Sequence, residues 1–141
     1  MNAELILQPV IGMMLLTALV WVVLFFKRIP AMQEAGLPTQ TWTTPDKTVE
    51  LLPEAVNNPA NNFKNLFELP VVFYALCLVL FVTNGVDAIH VTAAWTFVGF
   101  RVLHSLIHCT VNIVMARFLC YLAASLALWF MLARTAIDIL F

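Results

Sequence analysis

Asn65, Glu68, Arg101, His104, His108 and Arg117 lie inside, or at the edge of, stretches that otherwise read as membrane spans. That placement constrains the fold more than any other feature, because a charged side chain at the centre of a bilayer helix costs about 2.5–3.5 kcal/mol on insertion scales. Such groups must satisfy one another between packed helices or line a wet pocket. Composition leaves no soluble alternative. The chain has 141 residues, 62% hydrophobic and 11% charged, with a mean hydropathy of +0.93, too little polar surface to cover a water-exposed domain. An all-α integral membrane protein is predicted. A net charge of −1 and the absence of a basic run argue against nucleic acid as a partner. Cys77, Cys109 and Cys120 show no CxxC spacing and sit in or beside apolar segments, so they read as buried thiols.

Leu5 to Phe26 is an uncharged run of 22 residues, enough for a hydrocarbon core that takes roughly 20. It lacks a basic n-region and a small-residue cleavage site, so it is expected to remain as a span. Lys27 and Arg28 close it. From Ile29 to Asn62 the chain carries five of its seven prolines without sustained helical periodicity and reads as a long loop, with Trp42 a candidate for the headgroup level. Leu69 to Val82 supplies only 14 continuous apolar residues, so the second span must begin near residue 63 and carry Asn65 and Glu68 with it. Pro70 falls inside that helix and predicts a kink. A turn with Asn84, Gly85 and Asp87 follows, then spans over about 91–113 and 117–138. The result is one four-span domain over 1–141. Basic residues gather at Lys27, Arg28, Lys47, Lys64 and Arg117, against Arg134 on the other side, which places the 27–62 loop in the cytoplasm and both termini outside it.

Polar stripes mark three of these helices. Asn61, Asn65 and Glu68 are spaced i, i+4, i+7; Arg101, His104 and His108 i, i+3, i+7; Arg117, Tyr121 and Ser125 i, i+4, i+8. Counting from an outer turn at Asp87, Glu68 lies 19 residues back while His104 and His108 lie 17 and 21 forward, so they should be level. Arg101, at 14 forward, is offset by five residues, about 7.5 Å, which an arginine side chain nearly covers. The stripes are therefore expected to converge in the cytoplasmic half.

Three readings of that convergence stay open. In one, Glu68 and Arg101 form a buried ion pair whose neighbours act as packing glue. In another, two arginines facing one carboxylate leave positive charge for an anionic ligand. A third places a metal on His104 and His108 with Glu68, but His-Ser-Leu-Ile-His lacks the glutamate of an HExxH motif and the arginines would repel a cation. Near the outer side, Arg134 and Asp138 read as an i, i+4 pair, and Asp87 and His90 as solvated turn residues.

Asn65-Leu66-Phe67-Glu68-Leu69-Pro70, then Arg101-Val102-Leu103-His104, then Arg117 and Tyr121, within a four-span frame, resemble the membrane-associated proteins in eicosanoid and glutathione metabolism, the MAPEG family. The likeness extends over most of the chain. It implies a four-helix bundle per subunit, a homotrimer and intersubunit sites near the cytoplasmic face that bind glutathione. It also implies a transferase or peroxidase activity on lipophilic electrophiles, as in members resembling microsomal glutathione transferase and prostaglandin E synthase. Carried over by motif, Asn65, Glu68, Arg101 and His104 would contact the tripeptide, with His108 and Tyr121 lining the same site, and Arg117 would stand by the sulfur. The compact length is similar to bacterial-type members, which implies the inner membrane. Two positions depart from the family pattern: Asn61 stands where many members have an arginine, and His108 where several have a tyrosine. The first favours an alternative, a non-catalytic member serving as a structural or accessory subunit.

Overall fold

The computed structural model describes residues 2–141, which form helices joined by short turns, without a strand among the described residues. A 3-10 turn, Ala3–Ile6, leads into α1, Leu7–Glu34; a second, Thr39–Trp42, precedes α2, Pro45–Leu51. Then come α3, Glu54–Asn65; α4, Leu69–Val82; α5, Ala88–Cys109; and α6, Val114–Leu140. Three stretches are long and apolar enough to cross a membrane, Ala3–Glu34, Glu54–Val82 and Val114–Leu140. This is a membrane protein. α5 is 22 residues long but spends positions on His90, Arg101, His104 and His108, which lowers its hydropathy.

Each long helix buries one stripe. On α1 it runs through Val10, Met13, Leu16, Val20 and Leu24; on α4 through Phe73, Leu76, Cys77 and Leu80; on α6 through Ala124, Leu128, Met131 and Thr135. Phe73 of α4 stacks on Phe97 of α5 with ring centroids 4.5 Å apart. α5 and α6 make the most extensive pairing, and both bury small residues, Ala93 and Ala94 on α5 and Ala124 on α6. The outward faces stay apolar, as lipid requires. Hydroxyls in the helices are spent on their own backbone: Thr17, Thr92, Thr96, Ser125 and Thr135 each donate to the carbonyl four residues back.

The region expected as a loop is largely helical. At 28 residues α1 is about 42 Å long, beyond the ~30 Å hydrocarbon core, and it continues past Pro30 before Gly36 stops it at φ 63°. Of the five prolines that read as loop markers, Pro45 opens α2 and Pro53 is the N-cap of α3, Pro38 precedes a 3-10 turn, and Pro30 and Pro59 lie inside α1 and α3. Hydrophobic periodicity could not see α3 because its buried residues are mostly asparagines, Asn57, Asn58 and Asn62 beside Pro59 and Ala60. Asn57 Nδ2 donates to the Val49 and Leu52 carbonyls, closing α2 onto α3. Pro70 produces a complete break rather than a kink. Lacking an N–H, it cannot bond the Leu66 carbonyl, and α3 ends at Asn65 while α4 restarts at Leu69 with Pro70 in its first turn.

The end of the bundle at Asp87 also differs from expectation. Arg134 pairs with Asp87 at 2.5 Å rather than with Asp138, tying the start of α5 to the end of α6. Asp87 caps α5 by accepting from the His90 N–H at 2.8 Å. The ring of His90 is buried, not solvated, and its Nδ1 lies 2.8 Å from the Asp87 carboxylate without hydrogen-bond alignment.

Candidate functional site

The break before Pro70 builds the site. With no helix to continue, the Asn65 carbonyl takes only a long backbone bond from the Glu68 N–H, at 3.5 Å, and Arg101 Nη2 donates to it and to the Asn65 side-chain oxygen, both at 2.9 Å. Asn65 Nδ2 in turn donates to a Glu68 carboxylate oxygen at 3.1 Å. The expected Glu68–Arg101 ion pair does not form. Asn65 stands between the two charges because Glu68, in the interhelical turn, is exposed whereas Arg101 is 0% exposed inside the bundle. Nε and Nη1 of Arg101 have no acceptor among the described residues. Its guanidinium carbon lies 5.7 Å from the centroid of the Tyr121 ring, a cation–π contact.

Both histidines serve Arg117. His104 Nδ1 lies 2.8 Å from the Arg117 carbonyl oxygen, which can only accept, so that nitrogen carries the proton. Arg117 Nη1 lies 2.7 Å from His108 Nε2, and a guanidinium can only donate, so that nitrogen is the acceptor. One ring fixes the backbone of Arg117 and the other its guanidinium. The remaining donors of this half-buried side chain border an open-sided cavity of about 530 Å³. Asn61, Asn65, Glu68, His104, His108, Arg117 and Tyr121 line it, with Val114 and Phe118 as apolar wall. Arg101 lies behind the lining, and Ser125 turns away to donate to the Tyr121 carbonyl. Asn61 is at the exposed rim.

Sequence reasoning missed the residues that hold this cavity's inner end. Asn112 sits at φ 47°, a left-handed position that asparagine tolerates, and its backbone N–H returns to the Ile107 carbonyl at 2.7 Å to stop α5. Its side chain donates to Glu54 at 2.7 Å and Asn58 at 3.3 Å, pinning the α5–α6 turn to α3. Lys27 Nζ donates to the Cys109 carbonyl at 3.0 Å and the Ala55 carbonyl at 3.4 Å, joining α1 to the same corner. Asn62, fully buried, donates to Cys109 Sγ at 3.5 Å and accepts from Ser105 at 3.4 Å. One signal was present: the asparagines recur at i, i+4, as 57, 61, 65 and as 58, 62.

The cavity can hold a negatively charged ligand. It presents Arg117 with spare donors and one carboxylate, Glu68, for a cationic group. No curated protein and no solved structure matched the chain. The family model described as the MAPEG family, which includes glutathione transferases and related proteins, matches residues 6–137, nearly the whole length. The chain belongs to the MAPEG family.

Proposed function

We propose that this protein binds glutathione in the cavity between α3, α5 and α6 and joins it through its thiol sulfur to lipophilic electrophiles, or uses the thiol to reduce peroxides. The observation that carries the reading is the lining of one cavity by Asn65, Glu68, His104, His108, Arg117 and Tyr121 from three separate helices, with the buried Arg101 directly behind. Glutathione fits this donor set in charge. Its amino group needs an acceptor such as Glu68, and its carboxylates need the arginines and the Asn65 amide. Arg117 then does the chemistry. A thiol with an ordinary pKa near 8.5 is a weak nucleophile at neutral pH, and a guanidinium beside it favours the thiolate that attacks. His108 aims that guanidinium, so His108 is a positioning residue.

In this reading α1, the α3–α4 pair, α5 and α6 make four spans with both termini on the non-cytoplasmic side of a bacterial-type inner membrane. Three copies assemble around the site. Support for a trimer comes from family membership and from the open side of the cavity. A second reading, a non-catalytic accessory subunit, draws on Asn61. The rim position offers no cation there, and losing one charge-assisted bond costs about 1.5–3 kcal/mol of binding.

The test is the ultraviolet thiolate band of glutathione added to detergent-purified protein. A band appearing near neutral pH with the wild type and absent with Arg117→Ala, whose subunit stoichiometry is unchanged, supports the enzyme. No band with the wild type favours the accessory subunit.

A further inference from the structure

A second cavity, separate from the site above, runs along the opposite side of α5. It is a groove of about 450 Å³ between α1 and α5, walled on α1 by Leu15, Leu16, Leu19, Val20 and Val23 and on α5 by residues such as Val102 and Leu106. Its ends are built differently. At one end the Trp95 ring packs over Gly12, where an added Cβ would meet the ring at 3.4 Å. At the other stands Lys27, with Cys109 and Thr110. Gly12 and Lys27 are 15 residues apart on one helix, about 22 Å, the length scale of an acyl chain lying along a leaflet of a ~30 Å core.

Charge decides the occupant. Lys27 is the one basic side chain in the lining, which contains no Asp or Glu, and no carboxylate lies within ion-pair distance of it among the described residues. Its two acceptors, the Cys109 and Ala55 carbonyls, are neutral and leave one ammonium proton and the full charge uncompensated. Following directly on an uncharged run, Lys27 stands where a span meets the headgroups. We infer that the α1–α5 groove is a binding site for one anionic phospholipid, its acyl chain along Leu19 and Val23 and its phosphate on Lys27. The neutral carbonyls aim the ammonium without quenching it, and the groove holds nothing that a second headgroup charge could pair with.

Native mass spectrometry of the protein, extracted from vesicles of equal phosphatidylglycerol and phosphatidylcholine, reads the bound lipid. The expected result is preferential retention of phosphatidylglycerol. Lys27→Gln should reduce that preference about tenfold, the scale of one charge-assisted hydrogen bond, while Lys27→Arg retains it. Leu19→Trp and Leu106→Trp change exposed residues on opposite walls and should expel either lipid without touching the ammonium. These two variants keep the test decisive if Lys27→Gln loosens the inner corner. Equal retention of both lipids, or an undiminished preference in Lys27→Gln, overturns the proposal. So does a change of subunit stoichiometry in the tryptophan variants, which would mean that a second copy covers the groove.

Discussion

Arg101 and Arg117 carry the same group but are held in opposite ways. Arg101 is wholly buried, anchored by one nitrogen to both oxygens of Asn65 and laid over Tyr121, so it acts as a fixed charge behind the cavity wall. Arg117 is half-buried and pinned at one nitrogen by His108, so its other donors can meet a ligand. Asn65→Ala would remove one of two acceptors from a buried guanidinium while also releasing Glu68. A loss of about 1.5–3 kcal/mol is expected, measured as a lower unfolding midpoint in detergent. Arg117→Lys keeps the charge but not the fork that meets His108 while facing the cavity, so thiol transfer should fall steeply with the melting temperature little changed. A lysine variant with wild-type turnover would remove Arg117 from the chemistry.

At the scale of elements, the break between α3 and α4 makes the site possible. Pro70→Ala supplies an N–H for the Leu66 carbonyl and favours one continuous helix from Glu54 to Val82. Healing the break should raise or preserve thermal stability yet weaken glutathione binding, because Asn65 and Glu68 would leave their places. Titrating the variant by its melting temperature reads both effects at once. The α5–α6 turn makes a second test: Asn112→Gly keeps the left-handed backbone but loses the bonds to Glu54 and Asn58, whereas Asn112→Ala adds strain at φ 47°. The alanine variant should therefore melt lower than the glycine variant. Much of this level was legible in advance. Uncharged length gave α1, and the i, i+4 stripes brought Glu68, His104, His108, Arg117 and Tyr121 to one height, where they line one cavity. What stayed hidden was α3, because burial there is achieved with asparagines whose hydrogen bonds replace apolar packing. The Asn65 bridge was equally invisible, since spacing puts Glu68 and Arg101 level but cannot say which group stands between them.

For the molecule as a whole, the two ends of the bundle have different jobs. One end is closed by Asp87, which takes the His90 N–H and the Arg134 guanidinium; those partners, the backbone bond foremost, hold its carboxyl below the usual carboxylate range. A depressed carboxylate contributes stability above its ordinary pKa of about 3.9 and loses it as pH falls through the lower folded value. The melting temperature should drop on acidification in that window, and Asp87→Asn should flatten the drop. At the opposite end His104 and His108 hold Arg117, while Lys27 and Asn112 tie α1 and α3 to the α5–α6 turn. The central claim is that this end forms a glutathione site. It is tested most directly by melting the detergent-purified protein across a titration with glutathione and with its S-methyl derivative, because a ligand of the folded state alone must raise the midpoint by mass action. A saturable rise with both ligands, lost in Glu68→Ala, is the predicted result. No shift at millimolar ligand, or an undiminished shift in that variant, would contradict it.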